Sequence, residues 1–443
     1  MMVRSLLRWL VVAGMAVLLI VLGYDTLRIE NARVQWLFAG LFALFAGFIA
    51  LAGNKSRAKW IGIFASGLLL RLVLMGSTPQ LSDDYFRYTW DGHLNSMHID
   101  PYEYTPNQYI LAFPDDTVAR DIMEANSDGL RLNSRRFYSV YPTVYQAIFT
   151  VADALNGPPN KGSLWIIRGI LLLFELLTFW ILLRLIRSRG ISDNRVALYW
   201  LNPLVIVELT GNLHFDGIGI FFLLLSFYYV SRERILPSAV ALALGVATKL
   251  NPLFLVCVAW REWQWKRWLI WGALTGVCSI ALMAVYLDMH NIYHVKWSYR
   301  LYLYAFHFNS SLLNAIRGIG GPGAMEVAMG IFPKLIFLLI LALNFLKKKW
   351  GLSERVLLAY SIYYFLGTTI HPWYVIVLLP FAILSNWKFP HVWTYLVVWT
   401  YSFYHAEMVR QIGWVVGLEY GLLAVVVYLD LIAFQRRTAS VQP

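Results

Sequence analysis

Charge is scarce in this chain: 14% of its 443 residues are charged, against 59% hydrophobic and 16% aromatic. That balance excludes an ordinary soluble domain of this length. Cysteine is nearly absent. Cys257 and Cys278 both sit in apolar stretches, so neither a disulfide framework nor a cysteine zinc site is supported, and the redox compartment stays open. No Walker-type or Rossmann glycine motif occurs, so nothing calls for ATP or a nucleotide cofactor. Acidic residues number 25 against 37 basic ones, a formal net charge of +12. The cations fall mostly in short loops between apolar stretches, a membrane-orientation pattern rather than a nucleic-acid-binding one.

What is abundant is apolar run length. Crossing a hydrocarbon core of about 30 Å takes roughly 20 helical residues. Spans are expected near 6–23, 35–53, 60–76, 164–186, 195–210, 216–230, 236–248, 252–260, 268–287, 330–346, 354–370, 373–385, 391–406 and 412–433. The first, with Arg4 before it and Arg8 near its start, looks like a signal peptide but lacks a small-residue cleavage site, so it reads as a retained helix.

Loop cations set the expected orientation. Lys55, Arg57 and Lys59; Arg187 and Arg189; Arg232 and Arg234; Arg261, Lys266 and Arg267; Lys347, Lys348 and Lys349; and Arg436 and Arg437 all face the cytoplasm if the N-terminus does. Two hydrophilic segments, 77–140 and 288 to about 329, then lie outside. This parity requires 141–155, short and carrying Gln146 and Asp153, to be juxtamembrane or re-entrant rather than spanning. X-Pro steps at Asn251-Pro252 and His371-Pro372 break two helices on that same outer side. Broken helices at membrane depth are tolerated where they line a cavity, so both breaks point toward a site.

No short internal repeat or soluble domain is evident. The expectation is one membrane domain, 1–434, comprising an N-terminal hairpin (1–59), an outer catalytic loop (77–163) and a second outer loop (288–329), followed by a polar, disordered cytoplasmic tail (435–443).

Asp83 and Asp84 directly follow a span, and Asp91 comes two helical turns later. Adding a sugar to a hydroxyl needs a base for the acceptor proton, and a carboxylate near the donor phosphate can serve. The plainer alternative is that Ser82-Asp83-Asp84 merely starts a helix. Arg87, Tyr88, Trp90 and Asp91 recur at helical spacing, so one short helix can present acid, cation and aromatic together. Pro-bounded turns carry Tyr102 and Tyr104, then Tyr141 and Gln146, where flat rings with polar tips suit a sugar or an interfacial aromatic belt.

Ser-Asp-Asp-x-x-Arg-Tyr-x-Trp-Asp-Gly, then Pro-Tyr-x-Tyr-x-Pro, then Tyr-Pro before an apolar helix resembles the bacterial polyprenyl-phosphate-sugar-dependent mannosyltransferases of the GT-C superfamily, across most of the chain. The resemblance implies an all-α polytopic membrane protein, a GT-C-type bundle of about 12–14 transmembrane helices with a large first outer loop containing juxtamembrane helices. It also implies Asp83 or Asp84 as catalytic acid and a polyprenyl-phosphate sugar as donor. Two departures stand out. Three spans precede this loop where many relatives have one, suggesting an added hairpin, and Tyr141-Pro142-Thr143 replaces Tyr-Pro-Pro.

A second polar cluster, Asn202, Glu208, Asn212, His214 and Asp216, lies at the outer end of an apolar span. Ionisable groups there are costly and functional, or else pair with neighbouring Lys and Arg to hold the bundle. Relatives carry a similar Asn-Pro-Leu and Gly-Asn-x-His-x-Asp, which implies substrate binding. Asp83, Asp84 and Asp216 could also converge on a divalent cation, an option the sequence leaves unsupported; no cofactor is required. Lys249, at the first break, is placed to hold the donor phosphate, or to snorkel to the interface. His371, Trp373 and Tyr374 mark the second break, and relatives show a similar His-Pro-Trp-Tyr, so sugar or phosphate contact is expected from them. Arg300, with His294, Lys296, Trp297, His307 and Asn309, suits an anionic lipid carrier or an interfacial helix.

The expected activity is transfer of a sugar, mannose by resemblance, from a polyprenyl-phosphate donor to an acceptor glycan, lipid or protein, with inversion. It is expected at the periplasmic or extracellular face of a bacterial inner or plasma membrane, with membrane lipids but no nucleic acid as partners. The competing readings are a glycolipid transporter or flippase, against which the lack of a two-halves repeat counts, an outer-face lipid-linked glycan ligase, and a membrane scaffold whose acids are structural.

Overall fold

A computed structural model of the chain describes residues 2–52, 60–127, 130–156, 161–286, 288–304, 306–346, 350–405 and 409–439. Among the loop cations expected to face the cytoplasm, Lys55, Arg57, Lys59 and Lys347 to Lys349 lie outside the described residues, as does the end of the expected tail.

The chain is an all-α polytopic membrane protein. Among the described residues the only strands are two-residue pieces, Asn126–Ser127 against Leu130–Arg131. The N-terminal hairpin pairs Met2–Tyr24 with Asn31–Ala52. Val12, Met15, Leu19 and Leu22 on one helix and Val34, Phe38, Leu41 and Phe45 on the other recur every three or four residues and are buried, the stripe that lets two apolar helices find one seam.

Five described helices are long and apolar enough to cross a membrane, six if a bent pair counts as one. Several of the remaining expected spans are assembled from short pieces. The stretch 195–210, expected as one span, is a 3-10 turn, a short helix, a break at Asn202-Pro203 and a π-turn, Ile206–Gly211. Proline supplies no backbone donor, and Asn202 Oδ1 repairs that break by accepting from Leu204 N–H at 3.0 Å. Pro203–Gly211 then meets Asp216–Val230 at 114°, with Leu213 in the left-handed region at φ 62°. Both expected X-Pro breaks are present, with 3-10 turns starting at Asn251 and Pro372.

The segment 141–155 forms the helix Thr143–Asn156, only 14 residues long, too short to span. It lies so close to Asp84–Ser96 that a Cβ on Gly92 would meet the Phe149 carbonyl oxygen at 2.8 Å. Residues Ser311–Leu346 are helical on both sides of a break at Gly321, whose φ of 77° and ψ of −176° are not helical. The break falls in Gly320-Gly321-Pro322-Gly323, a loop-like stretch, and Met325, Ala328, Met329 and Phe332 beyond it pack with Leu313 before it.

At the centre of the bundle Arg71 Nε lies 2.7 Å from Glu175 Oε2, with side chains 0% and 1% exposed. Arg71 also donates to the Trp200 carbonyl at 2.9 Å, and its guanidinium covers the Trp200 ring at 3.6 Å. Removing one partner strands the other charge in the core, so Arg71→Met and Glu175→Leu are each expected to cost about 3 kcal/mol, with the double replacement costing less than the sum. Thermal unfolding of the detergent-purified variants measures this.

Candidate functional site

The first outer segment folds back on itself before it presents anything. Asp91 is 0% exposed, bound by Arg87 Nε at 2.7 Å and Gln146 Nε2 at 2.9 Å, and it accepts from the Ser139 hydroxyl. Arg87 also donates to the Phe137 carbonyl at 2.8 Å. Trp90, fully buried, lies edge-on to Tyr109, with ring centroids 5.6 Å apart. The Tyr102 hydroxyl donates to the Tyr141 carbonyl, Tyr141 stacks on Tyr145 at 5.4 Å, and Tyr104 packs on Tyr109 and Phe113. Arg87, Trp90, Asp91, Tyr102 and Gln146 are therefore the buried frame of this segment. Asn202 likewise spends its amide inside the bundle, on Leu204 and on Thr394 Oγ1 at 3.0 Å.

This frame delivers the two acids to different surroundings. Asp83 stands at the N-cap position of Asp84–Ser96, yet its side chain makes no capping bond. Its Oδ2 instead lies 3.3 Å from the Arg28 guanidinium, which covers the Tyr404 ring at 4.3 Å. Arg28 comes from the turn of the N-terminal hairpin, and the sequence reading passed over it. The available signal was an arginine in a turn expected to face outward, against the charge rule behind that expectation.

Asp84 has no Lys or Arg in ion-pair contact among the described residues; its Oδ2 lies 3.8 Å from His214 Nε2. Desolvation in this recess pushes the Asp84 carboxyl up to about 6; His214 and Arg28 pull it down while the charges of Asp83 and Asp216 add to the rise.

His214 is held from behind by Glu208, whose carboxylate lies 3.0 Å from Nδ1. Glu208 also accepts from the Tyr401 hydroxyl and from Asn212 Nδ2 at 3.2 Å. Asn212 Oδ1 in turn takes the backbone N–H of Leu81 at 3.3 Å, which ties this cluster to the turn leading into Asp83. The imidazole stacks on Trp373 at 3.6 Å, Trp373 on His371 at 4.4 Å, and His371 on Phe308 at 4.5 Å. The second helix break thus forms the wall opposite the acids.

Lys249 Nζ lies 2.7 Å from Asp216 Oδ1 and 3.6 Å over the Tyr374 ring. The pair borders a small cleft that is also lined by Tyr145, Phe215, Thr248, Asn251 and Tyr360. Asp83 and Asp216 each have a cation partner, and no three His, Cys, Asp or Glu side chains form a metal-holding group among the described residues. Arg300 is exposed on Met289–Tyr304, and the ion pairs of Asp83 and Asp216 among the described residues are with Arg28 and Lys249 instead. That helix docks on the first outer segment through Asn291 to Asp100 at 2.6 Å and His294 stacked on Tyr138 at 4.0 Å.

The arrangement offers a carboxylate with no Lys or Arg partner among the described residues, facing an imidazole, with Arg28 and Lys249 on the neighbouring acids and an aromatic wall, which can accept a proton and hold a phosphate near a sugar ring. Residues 11–265 match the sequence model of a family described as alpha-(1->6)-mannopyranosyltransferase, N-terminal domain. The matched region contains Asp83, Asp84, His214, Asp216 and Lys249, but not His371, Trp373 or Tyr374. No curated protein and no solved structure matches the chain.

Proposed function

The chain belongs to the alpha-(1->6)-mannopyranosyltransferase family, and from this premise we propose that it transfers mannose from a polyprenyl-phosphate donor to an acceptor hydroxyl at the outer membrane face, in one inverting displacement. It is a membrane mannosyltransferase; the donor, the face and the stereochemical course are the proposal. The observation that carries it is the difference among three neighbouring acids. Asp83 and Asp216 are neutralised by Arg28 and Lys249, while Asp84 faces only an imidazole.

In this mechanism the acceptor hydroxyl enters beside Asp84, which takes its proton as the acceptor oxygen attacks the sugar C1. The bond from C1 to the phosphate oxygen breaks and its electron pair leaves with the lipid phosphate, whose charge grows against Lys249 and Arg28. Tyr145, Phe215 and Tyr360 of the cleft give the sugar flat apolar faces. The donor is already activated, so the mechanism has no nucleotide or metal step. An α-product formed by inversion requires a β-linked donor.

The test uses purified protein in lipid nanodiscs with labelled mannose presented as β-polyprenyl-phosphate-mannose, as its α-anomer, or as GDP-mannose. Transfer from the β-linked lipid alone is the expected result. Transfer from the nucleotide sugar would sink the donor assignment, and movement of the lipid donor across a bilayer without transfer would favour the flippase.

A further inference from the structure

The geometry points to a proton relay behind the base, in which His214, fixed by Glu208, receives the proton that Asp84 takes from the acceptor. This rests on the assignment of Asp84 above and gives His214 a role other than substrate contact.

His214 is 2% exposed and sits on the bend between the two halves of the 114° helix pair. Its Nδ1 faces two oxygens that can only accept, the Glu208 carboxylate at 3.0 Å and the Glu208 carbonyl at 3.1 Å. Nδ1 therefore carries hydrogen, and in the neutral ring Nε2 carries the lone pair. That Nε2 is buried without a hydrogen-bond partner among the described residues, 3.8 Å from Asp84 Oδ2. A buried lone pair facing a carboxylate oxygen gains nothing from the contact until a proton lies between them. The buried Glu208 side chain aims acceptor oxygens at Nδ1, which favours the ring once it becomes a cation. The Trp373 face, 3.6 Å away and 13° from parallel, adds to that preference and holds the ring in register.

The steps balance. The acceptor O–H breaks and its proton joins Asp84; after the sugar has moved, the Asp84 O–H breaks and the proton joins the Nε2 lone pair. Asp84 is again a carboxylate, and the imidazolium lies between Glu208 and Trp373. The proton passes to water as the products leave. Of the charged and titratable groups coupled to Asp84, namely His214, Asp83, Arg28, Asp216 and the hydroxyls of Tyr88, Tyr145 and Tyr404, only the imidazole offers an open lone pair on nitrogen.

The test compares kcat and KM for wild type, His214→Gln and Glu208→Gln in nanodiscs with the labelled lipid donor. His214→Gln is expected to lower kcat about 10- to 100-fold and leave the donor KM within about twofold. Glu208→Gln should lower kcat by less, again with little change in KM. A wild-type kcat in His214→Gln, or a change in KM alone, would overturn the relay. Failure of the donor assignment is distinguishable, since all three proteins would then be inactive.

The tautomer can be read without turnover or mutation. Leu213-His214 is the only Leu-His step in the chain, so carbonyl-¹³C leucine with uniformly ¹³C,¹⁵N-labelled histidine selects this residue by NMR and carries the selection to its ring nitrogens. A protonated Nδ1 and bare Nε2 at pH 8 are expected; the opposite tautomer would exclude the relay.

Discussion

Asp84→Asn is expected to lower kcat/KM for mannosyl transfer by about 10²- to 10⁴-fold, the range for removing a positioned general base. Asparagine keeps the shape and its oxygen but cannot take a proton, so protein yield and donor binding should persist while kcat collapses. Asp83→Asn should cost less, because Asp83 already shares its charge with Arg28 at 3.3 Å. The reverse order in matched preparations would make Asp83 the base. The pH profile carries the same assignment. The base works as a carboxylate, and desolvation raises the Asp84 carboxyl to about 6. Activity should therefore be full well above that pH and fall as pH drops through it, with the limb absent from the residual activity of Asp84→Asn.

Lys249→Met is expected to lower kcat by about 10²- to 10³-fold, comparable with deleting one donor that stabilises charge developing in a transition state. The leaving phosphate gains charge as the C1–O bond breaks, so kcat should fall more than KM rises. A purely structural Lys249 would act through Asp216, 2.7 Å away, and its loss would leave that carboxylate uncompensated. The double variant Lys249→Met with Asp216→Asn separates the cases. Recovery of activity in the double would assign Lys249 to holding Asp216; activity as low as in the single variant, with Lys249→Arg partly active, assigns it to the phosphate. The 3.6 Å approach to Tyr374 leaves the ammonium oriented when substrate competes for it.

The frame around Asp91 shows why local spacing overstates a site. Asp83, Asp84, Arg87, Trp90 and Asp91 share a helical pattern, yet Arg87 and Asp91 satisfy each other at 2.7 Å and Trp90 is fully buried. A pattern on one helix says which residues share a face, not whether that face looks at substrate or at the next helix. Arg28 is the converse. It contacts Asp83 from 55 positions away, in a turn with no motif of its own. At Gly321 local preference and structure agree: the glycine-rich, proline-containing stretch breaks the helix there, and packing of Met325, Ala328 and Met329 with Leu313 sets how the two flanking helices meet.

By itself the sequence determined that this chain lives in a membrane, that its elements are helices, where X-Pro steps break two of them, and which segments gather acids and aromatics. Those properties follow from residue type and near-neighbour spacing, which act along the chain. Tertiary structure alone decided which acid stays unpaired, which cations neutralise the others, and that His214 stands between Glu208 and Asp84 with Trp373 against its ring. Charge pairing, desolvation and stacking depend on distance through space, and the groups that set them for Asp84 come from the N-terminal hairpin, the bent helix pair and the His371-Pro372 break.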